Sequence, residues 1–76
     1  MHILMTYSEN GIPMVLGRKE EGFILYPIDT EEKNTMASVI SFKSEDHALI
    51  FLQDAKLHMP HLTDLFKMLK PMEIKT

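Results

Sequence analysis

The chain lacks cysteine and tryptophan and has only three glycines. Without cysteine it cannot form disulfide bonds or thiolate zinc sites, and this composition fits a reducing cytoplasm. The glycines are dispersed, so no glycine-rich loop is available to cradle a phosphate. No serine lies in a Gly-x-Ser-x-Gly elbow. We therefore expect a protein that is not an enzyme and that holds no cofactor.

Long apolar runs are also missing. The longest, residues 48–52, is far shorter than the roughly 20 residues of a membrane span. The first residues carry no basic segment of the kind that opens a signal peptide. We expect no signal peptide and no membrane partner.

Basic residues are outnumbered, with 8 lysines and arginines against 11 aspartates and glutamates, for a net charge of −3. Residues 1–55 hold 4 basic and 9 acidic residues, whereas residues 56–76 hold 4 and 2. A nucleic-acid-binding face normally needs a basic stripe, so we expect no nucleic-acid partner.

The length of 76 residues predicts a single domain over residues 1–76 with a small core. A chain of this size hides only ~60% of the surface that its unfolded form exposes. Such a core rarely supplies more than ~3–5 kcal/mol of net stability without a staple. Because disulfides are excluded, a partner subunit is the first expected source of added stability.

The first part of the chain shows short apolar runs separated by turn signals, which indicates strands. We predict strands over residues 2–7, 14–18, 23–28 and 36–42. Asn10-Gly11 favours a type I′ turn after the first strand, and Gly22 is free to adopt the positive φ of a tight reversal. The third strand is apolar on both sides, which is typical of a central strand or of a strand covered on both faces, and Pro27 argues against a fully central position near its end.

After Ser44 the apolar residues recur at helical spacing. Ser44 is a good N-cap, and the helix that follows should end near His58 because Pro60 disfavours helix at the preceding residue. Pro60 can open a second helix that Pro71 ends. A competing interpretation starts a strand near Phe66, and the alternation of residues 72–74 allows a short terminal strand.

These elements predict an α+β fold. A four-stranded antiparallel meander comes first and two C-terminal helices, packed on one face, follow it in the order ββββαα. Neighbouring strands in sequence are expected to be neighbours in the sheet, because such connections are short.

Some apolar residues exceed what this fold needs. The first helix has a broad stripe that should cover the sheet: Ala48, Leu49, Phe51, Leu52, Ala55 and Met59. Ile50 and Leu57 point nearly the opposite way. One helical layer covers only one face of the sheet, so the other face, which we expect to bear Ile24 and Tyr26, or the Ile50–Leu57 pair needs a second cover. Ile24, Tyr26, Ile50 and Leu57 are therefore the predicted partner-binding residues, and a twofold homodimer is the simplest partner.

Only His58, His61 and Asp64 suggest a metal site. Imidazole and carboxylate groups bind zinc and nickel, but Pro60 interrupts the helix between the two histidines. We therefore assign no metal ligand among them.

The leading hypothesis is a small non-enzymatic module for protein–protein interaction, an accessory or regulatory subunit that acts as a homodimer in the cytoplasm. The alternative is a small-ligand or metal-responsive binding protein that uses His58 and His61.

Overall fold

The computed structural model describes residues 1–20, 22–27 and 39–74. These residues form four strands, two α-helices and a 3-10 turn. In chain order they are β1 (His2–Tyr7), β2 (Pro13–Lys19), β3 (Gly22–Pro27), α1 (Glu45–His58), the 3-10 turn (Pro60–Leu62), α2 (Thr63–Met68) and β4 (Lys70–Glu73). The predicted α+β class is confirmed, with four antiparallel strands in one sheet and two helices.

The strands lie in the order β3-β2-β1-β4, and every neighbouring pair is antiparallel. Strands β1 to β3 form a meander. The terminal strand that the sequence allowed is present as β4, which pairs with β1 from His2↔Glu73 to Met5↔Lys70. Pro71 is tolerated in β4 because an edge strand needs hydrogen bonds on one side only.

The predicted strand over residues 36–42 falls partly outside the described residues, which resume at Val39. From Val39 onward the chain runs between two strands. Val39 forms a bridge with Gly17 of β2, and Phe42 forms a bridge with His2 of β1. Direct pairing of β1 with β2 is confined to the end near their connecting turn. Residues 39–42 therefore supply backbone partners where the two strands diverge.

The β1–β2 turn differs from the predicted type I′ turn, which needs positive φ at both central residues. Among the described residues only Gly11 has a positive φ, of 80°. The Gly11 N–H donates to the Ser8 carbonyl oxygen at 2.9 Å, so Glu9 and Asn10 are the central residues. A left-handed glycine after such a turn is the pattern of a three-residue hairpin loop. The positive φ expected at Gly22 is also absent, since that residue already belongs to β3.

Both helices pack on one face of the sheet, as predicted. Leu4 and Leu16 of the sheet are fully buried there, beneath Phe66 of α2. Phe51 of α1 meets Phe66 edge-to-face, with ring centroids 6.5 Å apart. The buried members of this main cluster are Leu4, Leu16, Ala48, Leu52, Ala55, Phe66 and Leu69.

The opposite face of the sheet is also buried at its centre. Ile3, Met5 and Val15 are 0%, 8% and 3% exposed. The partly buried side chains packed against them are Tyr26, Val39, Met72 and Ile74. One copy of the chain therefore covers the middle of both sheet faces, which removes one of the two reasons for expecting a partner.

Helix α1 has the predicted ends. The Ser44 hydroxyl accepts a hydrogen bond from the His47 N–H at 3.2 Å, and the helix ends at His58. Helix α2 ends at Met68, two residues before the first residue of β4. The competing interpretation with a strand from Phe66 is wrong, because Phe66 is helical and its apolar ring fills the main cluster.

Candidate interaction surface

The outward face of helix α1 holds two large aliphatic side chains in solvent. Ile50 is 55% exposed and Leu57 is 78% exposed. Seven residues make nearly two helical turns, so both side chains point the same way, about 10 Å apart along the axis. We call Ile50 and Leu57, with the exposed Gln53 between them, the α1 ridge.

The ridge lies opposite the buried face of the same helix. Ala48, Leu52 and Ala55 are 0%, 6% and 4% exposed against the sheet. Leu52 and Leu57 are the same residue type five positions apart, and 500° of helical rotation separates them by about 140° around the axis. One face of the helix therefore packs in the core. Folding of a single copy does not require burial of the ridge.

Charge is unevenly placed along the ridge. Asp46 precedes Ile50 by one turn and Asp54 follows it by one turn, so the two carboxylates flank Ile50, and Asp54 lies between Ile50 and Leu57 along the helix. Both are exposed, and neither forms an ion pair with another described residue. The last turn of α1 carries Lys56 and His58. The two carboxylates lie beside the ridge, whereas Lys56 and His58 are each turned about 100° around the helix from Leu57.

Leu49 departs from the predicted inward stripe, since it is 42% exposed. It lies at the border between the buried face of α1 and the ridge, about 100° from Ile50. Met68 of α2 is 53% exposed. These side chains enlarge the apolar surface on the helical side of the molecule.

The two predicted partner-binding residues of the sheet lie elsewhere. Ile24 and Tyr26 are half-buried on β3, on the face away from the helices. Ile24 lies opposite Gly17, and Tyr26 packs against the smaller cluster around Val15. The structure does not bring these two residues together with the α1 ridge, so the four predicted residues form two separate surfaces.

The histidines near the end of α1 are exposed. The His58 Nδ1 atom lies 2.8 Å from the Asp54 carbonyl oxygen, which fits a hydrogen bond along the helix. His61 lies in the 3-10 turn after Pro60. Within residues 1–20, 22–27 and 39–74, no three histidine, aspartate or glutamate side chains come close enough to hold a metal ion.

His2 of β1 has a buried polar atom that the sequence pattern did not suggest. Its Nδ1 atom is buried without a hydrogen-bond partner, and its Nε2 atom lies 3.9 Å from a Glu73 carboxylate oxygen. The side chain is 21% exposed. A single polar residue at the start of an apolar strand gives no sign of this burial, which depends on pairing with β4.

The β2–β3 turn borders an open depression of about 300 Å³ lined by Lys19, Glu20, Gly22 and Phe23. Small-molecule sites are mostly concave and apolar, whereas Phe23 is the one apolar side chain among the described residues that line this open depression. This depression therefore has little to hold a ligand.

Helix α1, with 14 residues, is the longest helix in the described part of the chain. None of the described helices has the length and apolar character needed to cross a membrane.

No protein-family model matches the chain, and neither does any curated protein or solved structure.

Proposed function

We propose that this protein is a small non-enzymatic interaction module. It acts as an accessory or regulatory subunit that buries the α1 ridge against a second protein chain, and a homodimer in the cytoplasm is its simplest working form. The observation that carries this proposal is the exposure of Ile50 and Leu57 on the outward face of α1.

The magnitude of the apolar surface supports this role. Single exposed leucines are common on protein surfaces and need no explanation. Ile50 and Leu57 are aligned on one helix and have Leu49 as a neighbour. Together they form an apolar patch rather than isolated exposed residues. Full burial of one such side chain is worth about 1.5–3 kcal/mol. Because a small core supplies only ~3–5 kcal/mol of net stability, burial of the ridge would add a large fraction of the stability of the molecule.

The remaining chemistry supports binding rather than catalysis. The described residues include no cluster of metal ligands, and the depression at the β2–β3 turn is open rather than enclosed. A catalytic acid or base usually needs a partly dry concave site that shifts its pKa. The acidic flanks of the ridge favour a protein partner over a nucleic acid, since phosphate would be repelled.

The proposal is tested by sedimentation velocity from micromolar to near-millimolar protein, with a hydrophobic dye as a second readout. We expect the mean mass of the natural chain to rise toward that of a dimer with concentration. Leu57→Glu should remain a monomer, because the new carboxylate would have to be buried in the contact. Ile12→Glu is the matched control, since Ile12 is 44% exposed in the β1–β2 turn and lies off the helix.

Two results would contradict the proposal. One is a natural chain that stays monomeric at every concentration and binds no dye. The other is a Leu57→Glu variant that associates as strongly as the Ile12→Glu control.

A further inference from the structure

Residues 39–42 take the place of a strand partner inside the sheet. Val39 bridges Gly17 of β2 and Phe42 bridges His2 of β1, both in the antiparallel sense. Because β1 and β2 run in opposite directions, a segment antiparallel to both must reverse its own direction between residues 39 and 42. We call residues 39–42 the plug, since they form a bend inserted between the diverging ends of the two strands.

We propose that the plug is exchangeable: it leaves the sheet reversibly, and β1 and β2 then pair directly along their full length. We call the observed arrangement the plugged state and the other the zipped state. A protein that binds the withdrawn plug would favour the zipped state, which makes the exchange a regulatory device. It goes beyond the proposed function, because it does not involve the α1 ridge.

The register needed for the zipped state already exists. Direct pairing of β1 with β2 stops at Met5↔Val15, and three further steps in the same register reach His2 and Arg18. Both strands stay extended over those steps, because β4 pairs with the outer side of β1 and β3 with that of β2. Closing the ladder therefore needs no change of register.

The plug forms three backbone hydrogen bonds with groups that face the gap. The Ile40 N–H donates to the Leu16 carbonyl oxygen at 3.2 Å. The His2 N–H donates to the Phe42 carbonyl oxygen at 3.1 Å, and the Phe42 N–H donates to the His2 carbonyl oxygen at 2.8 Å. One group of β2 and two groups of β1 are thus occupied by the plug.

The zipped state would use the same three groups. In an antiparallel ladder every second residue pair exchanges two backbone bonds. The Leu16 oxygen already faces the gap, so direct pairing would give it to the Leu4 N–H. Both His2 groups would bond Arg18. Three bonds replace three, so the two states are mutually exclusive and closely matched in backbone hydrogen bonding.

Side-chain packing decides which state is favoured. Val39 packs against the smaller cluster, whereas Ile40 and Phe42 pack against the main cluster. The Phe42 and Phe51 rings lie 5.3 Å apart between centroids. These contacts make the plugged state the ground state. All three plug side chains are only partly buried, so withdrawing them costs less than unfolding the molecule, as expected of a local opening.

Disulfide trapping tests for the zipped state, because the natural chain has no cysteine. The test variant carries His2→Cys and Arg18→Cys. In the zipped state their Cα atoms would lie about 5.5 Å apart, within disulfide reach. In the plugged state Phe42 lies on the side of His2 that faces β2, and two strand spacings, about 9–10 Å, put the pair beyond that reach. We expect an intramolecular disulfide to form slowly in mild oxidant.

Two control pairs set the scale of the cross-linking rate. Thr6→Cys with Met14→Cys joins residues that are already paired and should cross-link fastest. Thr6→Cys with Arg18→Cys should cross-link only through unfolding, because four residues along the strand, roughly 13 Å, separate the two positions in either state.

A packing variant links the cross-link to the plug. Ile40→Ala should speed the His2–Arg18 disulfide by roughly tenfold, because it removes part of the packing that holds the plug. It should speed the Thr6–Arg18 control much less. Ile12→Ala, the same substitution at an exposed site in the β1–β2 turn, should leave both rates unchanged.

Hydrogen exchange of the natural chain is a second measurement that needs no cysteine. The Ile40 and Phe42 amides lose their partners when the plug leaves, whereas the His2 amide passes to Arg18. After correction for intrinsic rates, we expect the two plug amides to exchange roughly tenfold faster than the His2 amide. In simple fraying, His2 and Phe42 would lose each other and exchange alike.

Three results would overturn the exchangeable plug. One is a His2–Arg18 disulfide that forms no faster than the Thr6–Arg18 control, and another is no acceleration by Ile40→Ala. The third is equal protection of the His2 and Phe42 amides, which decides alone if a cysteine pair fails to fold.

Discussion

At the scale of single residues, Gly11 and Gly22 differ in whether the backbone conformation requires glycine. Gly11 has a φ of 80°, which side chains with a Cβ atom rarely adopt, although nothing lies within 4 Å of an added Cβ. Gly22 has no positive φ and equally open surroundings. Backbone conformation, not space, therefore decides what each position tolerates.

Gly11→Ala should lower the free energy of unfolding by about 1 kcal/mol, since alanine is strained at positive φ. Gly22→Ala should leave it unchanged or raise it by up to ~1 kcal/mol, since alanine reduces the freedom of the unfolded chain. Urea denaturation of the two variants beside the natural chain measures both. Equal losses at the two positions would contradict the turn described for β1 and β2.

Ser44 is the second residue whose role is local. Its hydroxyl accepts the hydrogen bond that caps α1, so Ser44→Ala should cost about 1 kcal/mol of stability. Ser44→Asp keeps an acceptor at the N-cap and should recover most of that loss. The comparison is made by chemical denaturation, and an aspartate variant as unstable as the alanine variant would argue against the cap.

At the scale of elements, helix α1 has two apolar faces with different roles. Leu52 is 6% exposed against the sheet and Leu57 is 78% exposed. Removing the same atoms from each face separates the contribution of the core from that of the ridge.

Leu52→Ala should lower the free energy of unfolding by ~2–5 kcal/mol, because it opens a cavity in the main cluster. Leu57→Ala should change it by less than ~0.5 kcal/mol in dilute, monomeric protein. Denaturation at low micromolar concentration measures both variants under the same conditions. Similar losses from the two leucines would show that Leu57 is packed within one copy.

Helix α1 and its ridge could be predicted from the sequence because their signals are local. Ser44 marks the start, Pro60 limits the end, and the spacing of Ile50 and Leu57 places both on one face. The border position Leu49 could not be placed, because a small rotation of the helix on the sheet decides whether it is buried.

The strand pairing and the turn type of the sheet were harder to predict from the sequence. Residues 72–74 alternate as a strand should, but alternation does not say which strand they pair with. Strand β1 is central only because β4 pairs with it. Turn type was also missed, because Asn10-Gly11 suits both a type I′ turn and a loop in which only Gly11 is left-handed.

At the scale of the whole molecule, a single copy of the chain buries the apolar side chains at the centre of both sheet faces. The main cluster lies on the sheet face that the helices cover, and Ile3, Met5 and Val15 are buried on the other face of the sheet. The expectation of a partner therefore rests on the α1 ridge and no longer on the sheet. Ile24 and Tyr26 are half-buried, so they contribute less exposed apolar surface than Leu57 does.

The most direct measurement of this claim is a dilution series of two-dimensional NMR spectra of the natural chain. If the ridge is the surface that meets a second copy, amide shifts should move with concentration at Ile50, Gln53 and Leu57, while those of Ile24 and Tyr26 stay fixed. Spectra that do not change with concentration, or changes centred on β3, would contradict the account.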